Sequence, residues 1–167
     1  MPLLEPPDTH YLSAAIGWLE LGNPAEAKAD LEKVSSACQR HPDVLEVRWL
    51  LCAEQGDWPA ALTAARAILQ VAPDRAAGWL HQAYALRRVS DGGVERAWDA
   101  LLPAFEKFPK EPVIAYNLAC YGCQMNRLAE ARTWLKRALK IGSKEKIKAM
   151  ALGDSDLEPL WEEIRSF

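Results

Sequence analysis

The stretch "ARTWLKRA", residues 131–138, sets an alanine, a leucine four residues on and a second alanine three further. The same frame recurs as Ala97, Leu101 and Ala104, as Ala61, Ala65 and Ile68, and as Ala27, Leu31 and Val34, with successive copies 34, 36 and 34 residues apart. A fixed period of this length marks stacked copies of one supersecondary unit, and steps of three and four place the recurring residues on one helical face. A second ladder, Ala15, Trp49, Ala83 and Ala119, runs 34, 34 and 36. The two ladders take their longer step in different places. That difference locates a two-residue insertion between the halves of the third unit, at Ser90-Asp91-Gly92-Gly93, a turn composition.

Each unit reads as two helices around a breaker: Gly22-Asn23-Pro24, Gly56-Asp57, Asp91-Gly92-Gly93 and Asn126-Arg127. Glycine or asparagine can take the left-handed conformation that ends a helix, and Pro24 suits the first turn of the next. Pro42, Pro73, Pro109 and Pro112 separate the units, since proline stops a helix or opens one. The pattern predicts first helices over 9–21, 43–55, 75–89 and 112–125, and second helices over 24–40, 58–71, 93–108 and 127–141. Two short helices follow, over 144–152 and 157–165.

These columns resemble the tetratricopeptide repeat. Trp79 stands in its tryptophan column, Leu118-Ala119 in its leucine and small-residue columns, and Trp18 in its tyrosine column. Ala27/Leu31, Ala97/Leu101 and Ala131/Leu135 fill the alanine and large-residue columns, and Pro73 and Pro109 close their units. The resemblance holds its phase over residues 8–143, and "YNLACYGCQ" with "DSDLEPLWEEI" is similar to the end of bacterial tetratricopeptide proteins. The implied fold is all-α: a right-handed α-solenoid of about four helical hairpins, repeats 8–41, 42–75, 76–111 and 112–143 with a cap over 144–167, forming one domain. Small residues are needed where the helices of a hairpin cross closely. The second unit has Trp49 where the others have alanine and Ala65 where two have leucine, which reads as a volume swap.

The whole chain, 167 residues with 50% hydrophobic content and a net charge of -3, suffices for one core and gives no general attraction to nucleic acid. The charge is unevenly spread: residues 1–60 carry net -6, residues 61–150 net +7 and the tail net -4. The start MPLLEPPDTH lacks the pattern of a secretory signal or transit peptide, and every apolar stretch is interrupted by charge well short of a membrane span. A cytoplasmic protein without membrane insertion is expected, with Cys38, Cys52, Cys120 and Cys123 as reduced thiols.

Cys120 and Cys123 form a CxxC, which serves thiol chemistry, zinc binding and ordinary packing alike. Side chains three apart on a helix stand about 5–6 Å from each other at Cβ, too far for a disulfide, and mid-helix positions lie away from the terminal amides that activate a thiol. Zinc needs two further ligands, and His10, His41 and His81 stand at no recognisable spacing. Packing is the favoured reading, with a thiol oxidoreductase the remote alternative. No phosphate-binding glycine loop, HExxH or GxSxG occurs, so no enzymatic activity, cofactor or metal is expected. Arg132, Lys136, Lys140 and Lys144 share one helical face, read as solvated, and the tryptophans fall on apolar stripes or early in second helices.

The resemblance implies a non-enzymatic adaptor whose first helices line a concave groove for a segment of a partner protein. The groove columns carry over to Leu12, Ile16, Leu19 and Glu20, to Glu46, Leu50 and Glu54, to Leu80, Tyr84, Arg87 and Arg88, and to Tyr116, Asn117, Cys120, Cys123 and Gln124. Glutamates lie toward the N-terminal end and Arg87 and Arg88 mark the later part, so a partner segment with acidic residues near the arginines is expected. Only Asn117 matches the column set with which some members grip a C-terminal carboxylate. A self-associating module is the alternative, but the acidic tail with Asp154, Glu158, Glu162 and Glu163 resembles a polar cap, which favours a monomer.

Overall fold

A computed structural model of the chain describes residues 3–166. The helices are α1 (Asp8–Glu20), α2 (Pro24–Lys33), α3 (Pro42–Glu54), α4 (Trp58–Val71), α5 (Ala76–Leu86), α6 (Val94–Lys107), α7 (Pro112–Gln124), α8 (Leu128–Ile141), α9 (Lys144–Gly153) and, after a 3₁₀ helix at Ser155–Leu160, α10 (Trp161–Ser166). No strand occurs among the described residues. Two compact units meet in the sequence at Val89 and Ser90, at the insertion that the shifted ladders locate. The first holds α1 to α5 and the second α6 to α10.

Three of the four breakers end their helices through one repeated device. Gly22 (φ 68°), Gly56 (φ 70°) and Asn126 (φ 59°) take the left-handed conformation. The amide of the next residue then reaches back five residues, from Asn23 to Trp18 at 2.8 Å, from Asp57 to Cys52 at 2.9 Å and from Arg127 to Gly122 at 2.8 Å. Asn23 and Asp57 go on to cap α2 and α4, their side chains accepting from the amides of Glu26 and Ala60.

The ladder residues form the core. Ala15, Ala27, Ala61, Ala65, Ala83, Ala97, Ala104, Ala119, Ala131 and Ala138 are fully buried. Their size permits close helix crossing: a Cβ on Gly122 would stand 3.1–3.2 Å from the backbone and Cβ of Ala131. In the first unit Trp49 is buried in one cluster with Ala61, Ala64 and Ala65, the juxtaposition that the volume swap calls for.

Three elements differ from the sequence expectation, the simplest being the helix expected over 75–89, which ends at Leu86. The second helix, expected over 24–40, ends at Lys33, because Val34 turns extended and Ser35 donates its amide (2.8 Å) and its hydroxyl to the Asp8 carboxylate at the start of α1. The side-chain amide of Gln39 then donates to the carbonyls of Leu31 and Val34, holding the following turns against the end of α2. The helix expected over 157–165 is divided, with Asp154 capping the 3₁₀ segment through the amide of Asp156 and α10 beginning only at Trp161. Pro159 sits within the 3₁₀ segment and has no amide proton for a continuous α-helical ladder. The segment packs on α7, with Leu157, Leu160 and Ile164 buried, and Arg132 of α8 grips Glu163 with both oxygens at 2.7 and 2.8 Å.

Candidate functional site

In the first unit, several of the groove positions read from the sequence remain accessible along α1, α3 and α5, while Leu19, Leu80, Arg87 and Arg88 are half-buried. Ile16 (39% exposed), Leu50 (45%) and Tyr84 (39%) are three of the large hydrophobic side chains left open to solvent. Large apolar groups in such positions are informative when they cluster rather than scatter, and Ile16, Leu19 and Leu50 line one hollow with Glu20 and Glu54. Leu12 is buried instead, facing α2 as part of the core. Glu46 is drawn to Arg75, which bridges it at 3.3 Å while also holding Asp43.

The far side of this face is an aromatic cluster that the sequence analysis did not assemble. Trp49 stacks on His81 with ring centroids 3.9 Å apart at 13°, and meets Tyr84 edge to face at 5.8 Å. Trp58, at the start of α4, lies 5.8 Å from Tyr84. The Arg88 guanidinium lies over Tyr84 at 3.5 Å and over Trp58 at 5.0 Å, and it donates to the Tyr84 carbonyl at 3.0 Å. Arg88 is therefore fixed by cation–π contact as well as by its place at a helix end. Burial pulls the His81 imidazole down to about 4, so this ring is neutral at neutral pH. The arrival of His81 on Trp49 across two helices carries no local signal in the sequence.

In the second unit the expected groove residues divide. Gln124 is exposed and Asn117 half-buried, its side-chain amide donating to the Val113 carbonyl of its own helix at 2.8 Å. Tyr116 (6% exposed) and Cys120 (3%) are covered by the chain's own C-terminal segment. This corrects the expectation that they line an open groove. The Tyr116 hydroxyl donates to Asp154 Oδ2 at 2.9 Å, and the Cys120 thiol reaches the same oxygen at 3.5 Å. Asp154 is of a residue type that caps helix starts, but nothing local tells which helix its second oxygen will meet.

The two thiols of α7 are poor nucleophiles here. Burial and the nearby Asp154 carboxylate push the Cys120 thiol far up, and burial pushes Cys123 up to about 11, so both are protonated at neutral pH. Cys120, Asp154 and Asp156 do bring three ligand-capable atoms within 4.8 Å of one another. Asp154 is already occupied, however: it accepts hydrogen bonds from Tyr116 and Cys120 on one oxygen and from the Asp156 amide on the other. The arrangement closes the end of the array and holds the cap in place.

No family model and no curated protein sequence matches the chain. Solved structures do. TTC0263, a thermophilic TPR protein of Thermus thermophilus, aligns with a TM-score of 0.74 at 17% identity, over 94% of this chain and 82% of that one. Two MamA structures are also similar: the RS-1 ArsTM double mutant (TM-score 0.68, 16% identity, 81% of this chain and 75% of that one) and the AMB-1 form (TM-score 0.64, 19% identity, 96% and 91%). The fold is that of the all-α tetratricopeptide solenoids. No helix among the described residues is long and apolar enough to cross a membrane.

Proposed function

We propose that the protein is a non-enzymatic adaptor that holds a segment of a partner protein against the face formed by α1, α3 and α5. The observation that carries this reading is the placement of Ile16, Leu50 and Tyr84. These large apolar side chains stay open on first helices while the core alanines around them are fully buried. An apolar face with a rim of charge is suited to a helical or extended segment, whose alternate side chains supply anchors. Tyrosine and arginine dominate binding energy at many interfaces. Tyr84 with Arg87 and Arg88 is the place where acidic residues of the partner would sit. The capped C-terminal end favours a monomeric working state.

The test is capture of partners from a cell extract with the wild-type chain and with an Arg87→Glu, Arg88→Glu variant that retains its helical circular dichroism. Loss of the partners that the wild-type chain enriches is expected. Unaltered capture would discard this face as the binding surface.

A further inference from the structure

The hollow between α1 and α3 has a chemistry of its own. It encloses about 260 Å³ and is lined by Ile16, Leu19, Glu20, Leu50 and Glu54. Small-molecule pockets run to roughly 300–1,000 Å³ and are better enclosed, so the space fits one or two anchoring side chains of a larger partner. Ile16, Leu19 and Glu20 are spaced three and four apart on α1, and Leu50 and Glu54 four apart on α3, so apolar floor and acidic rim alternate along both helices.

The rim is uncompensated. Glu20 and Glu54 are exposed, and neither has an ion-pair or hydrogen-bond partner among the described residues. Several cations of this unit are engaged elsewhere: Arg75 on Asp43 and Glu46, Arg48 on Gln39, Arg40 on Gln70, Lys33 on Asp30 and Arg88 over Tyr84 and Trp58. Two carboxylates beside an apolar floor repel a phosphate backbone or an acidic peptide and attract a cation.

We propose that this hollow takes a basic, apolar segment of a partner protein: an aliphatic or aromatic side chain inserted between Ile16 and Leu50, with lysine or arginine on either side reaching Glu20 and Glu54. The proposal rests on the first-helix face being the binding surface, and it fixes the partner's charge at the α1 and α3 end of that face.

A random peptide library displayed on phage and panned on the immobilised full chain tests it. Enriched peptides are expected to carry an apolar residue flanked by lysine or arginine, and to bind a Glu20→Lys, Glu54→Lys variant about tenfold or more weakly. A Leu50→Asp variant is expected to lose them as well. Peptides that depend on Leu50 but are acidic, or that bind the charge-reversed variant equally, would overturn the basic assignment while leaving the face itself in place. Peptides indifferent to Leu50, or none enriched, would overturn both. A protein mass that rises with concentration and returns to the monomer in the charge-reversed variant would replace the separate partner with a second copy of the chain, and so overturn the proposal. Both variants alter exposed side chains, and their melting temperatures distinguish lost binding from lost fold.

Discussion

At the scale of single residues, the burial of His81 makes stability depend on pH. The residue stacks on Trp49, and burial pulls its imidazole from the usual 6.5 to about 4. The unfolded chain takes up a proton near the ordinary value, while the folded chain refuses it until the lower one. The contribution is therefore complete above pH 6.5 and is lost as pH falls toward 4, at no more than about 1.4 kcal/mol per pH unit. A His81→Gln variant is expected to show a flatter dependence of unfolding free energy on pH across this window, measured by urea denaturation at a series of pH values. An unchanged slope would mean that another group titrates. Asp8 and Asp30 act with the same sign at lower pH. Hydrogen bonds from Ser35 hold the Asp8 carboxyl below its usual range, and a hydrogen bond from Lys33 does the same for Asp30, so the upper part of the window isolates the histidine.

At the scale of the element, each hairpin depends on a size match where its two helices cross. Trp49 and Ala65 show this most clearly, because the indole occupies the space beside an alanine that is fully buried. Ala65→Leu is expected to destabilise the fold by about 1–3 kcal/mol, read as a lowered melting temperature, since an overfilled core forces side chains from their rotamers. A neutral or raised melting temperature would reject the swap. The elements were legible in the sequence where a local signal set their ends. Gly22, Gly56 and Asn126 each end a helix in the left-handed conformation, as their composition suggested. The end of α2 was not legible, because the residue that stops it, Ser35, is held by Asp8, 27 positions earlier in the chain. The divided C-terminal helix was missed for a related reason. Asp154 both caps the 3₁₀ segment and accepts from Tyr116 of α7, and only the second contact decides where the segment lies.

At the scale of the whole molecule, repeat phase made the fold class readable, since the register of buried alanines is a property of the period rather than of any one contact. The exposure of the expected groove columns was readable only where nothing folds over them. Ile16, Leu50 and Tyr84 sit on the expected face and are open. Cys120 stands in the same column and Tyr116 in that of Leu12, Glu46 and Leu80, yet both lie beneath a segment that begins more than thirty residues later in the chain. A column assignment carries helix orientation from one repeat to the next, but it cannot carry what the last repeat meets in place of a neighbour. The proposed binding face is therefore that of the first-helix residues of the first unit. The most direct measurement is site-specific photocrosslinking with a benzophenone side chain at position 50 on α3 and, for comparison, at the exposed position 66 on α4. Position 50 is expected to yield a covalent adduct with the partner or with a selected peptide, and position 66 none. Adducts formed equally at both positions, or at 66 alone, would contradict binding on the first-helix face.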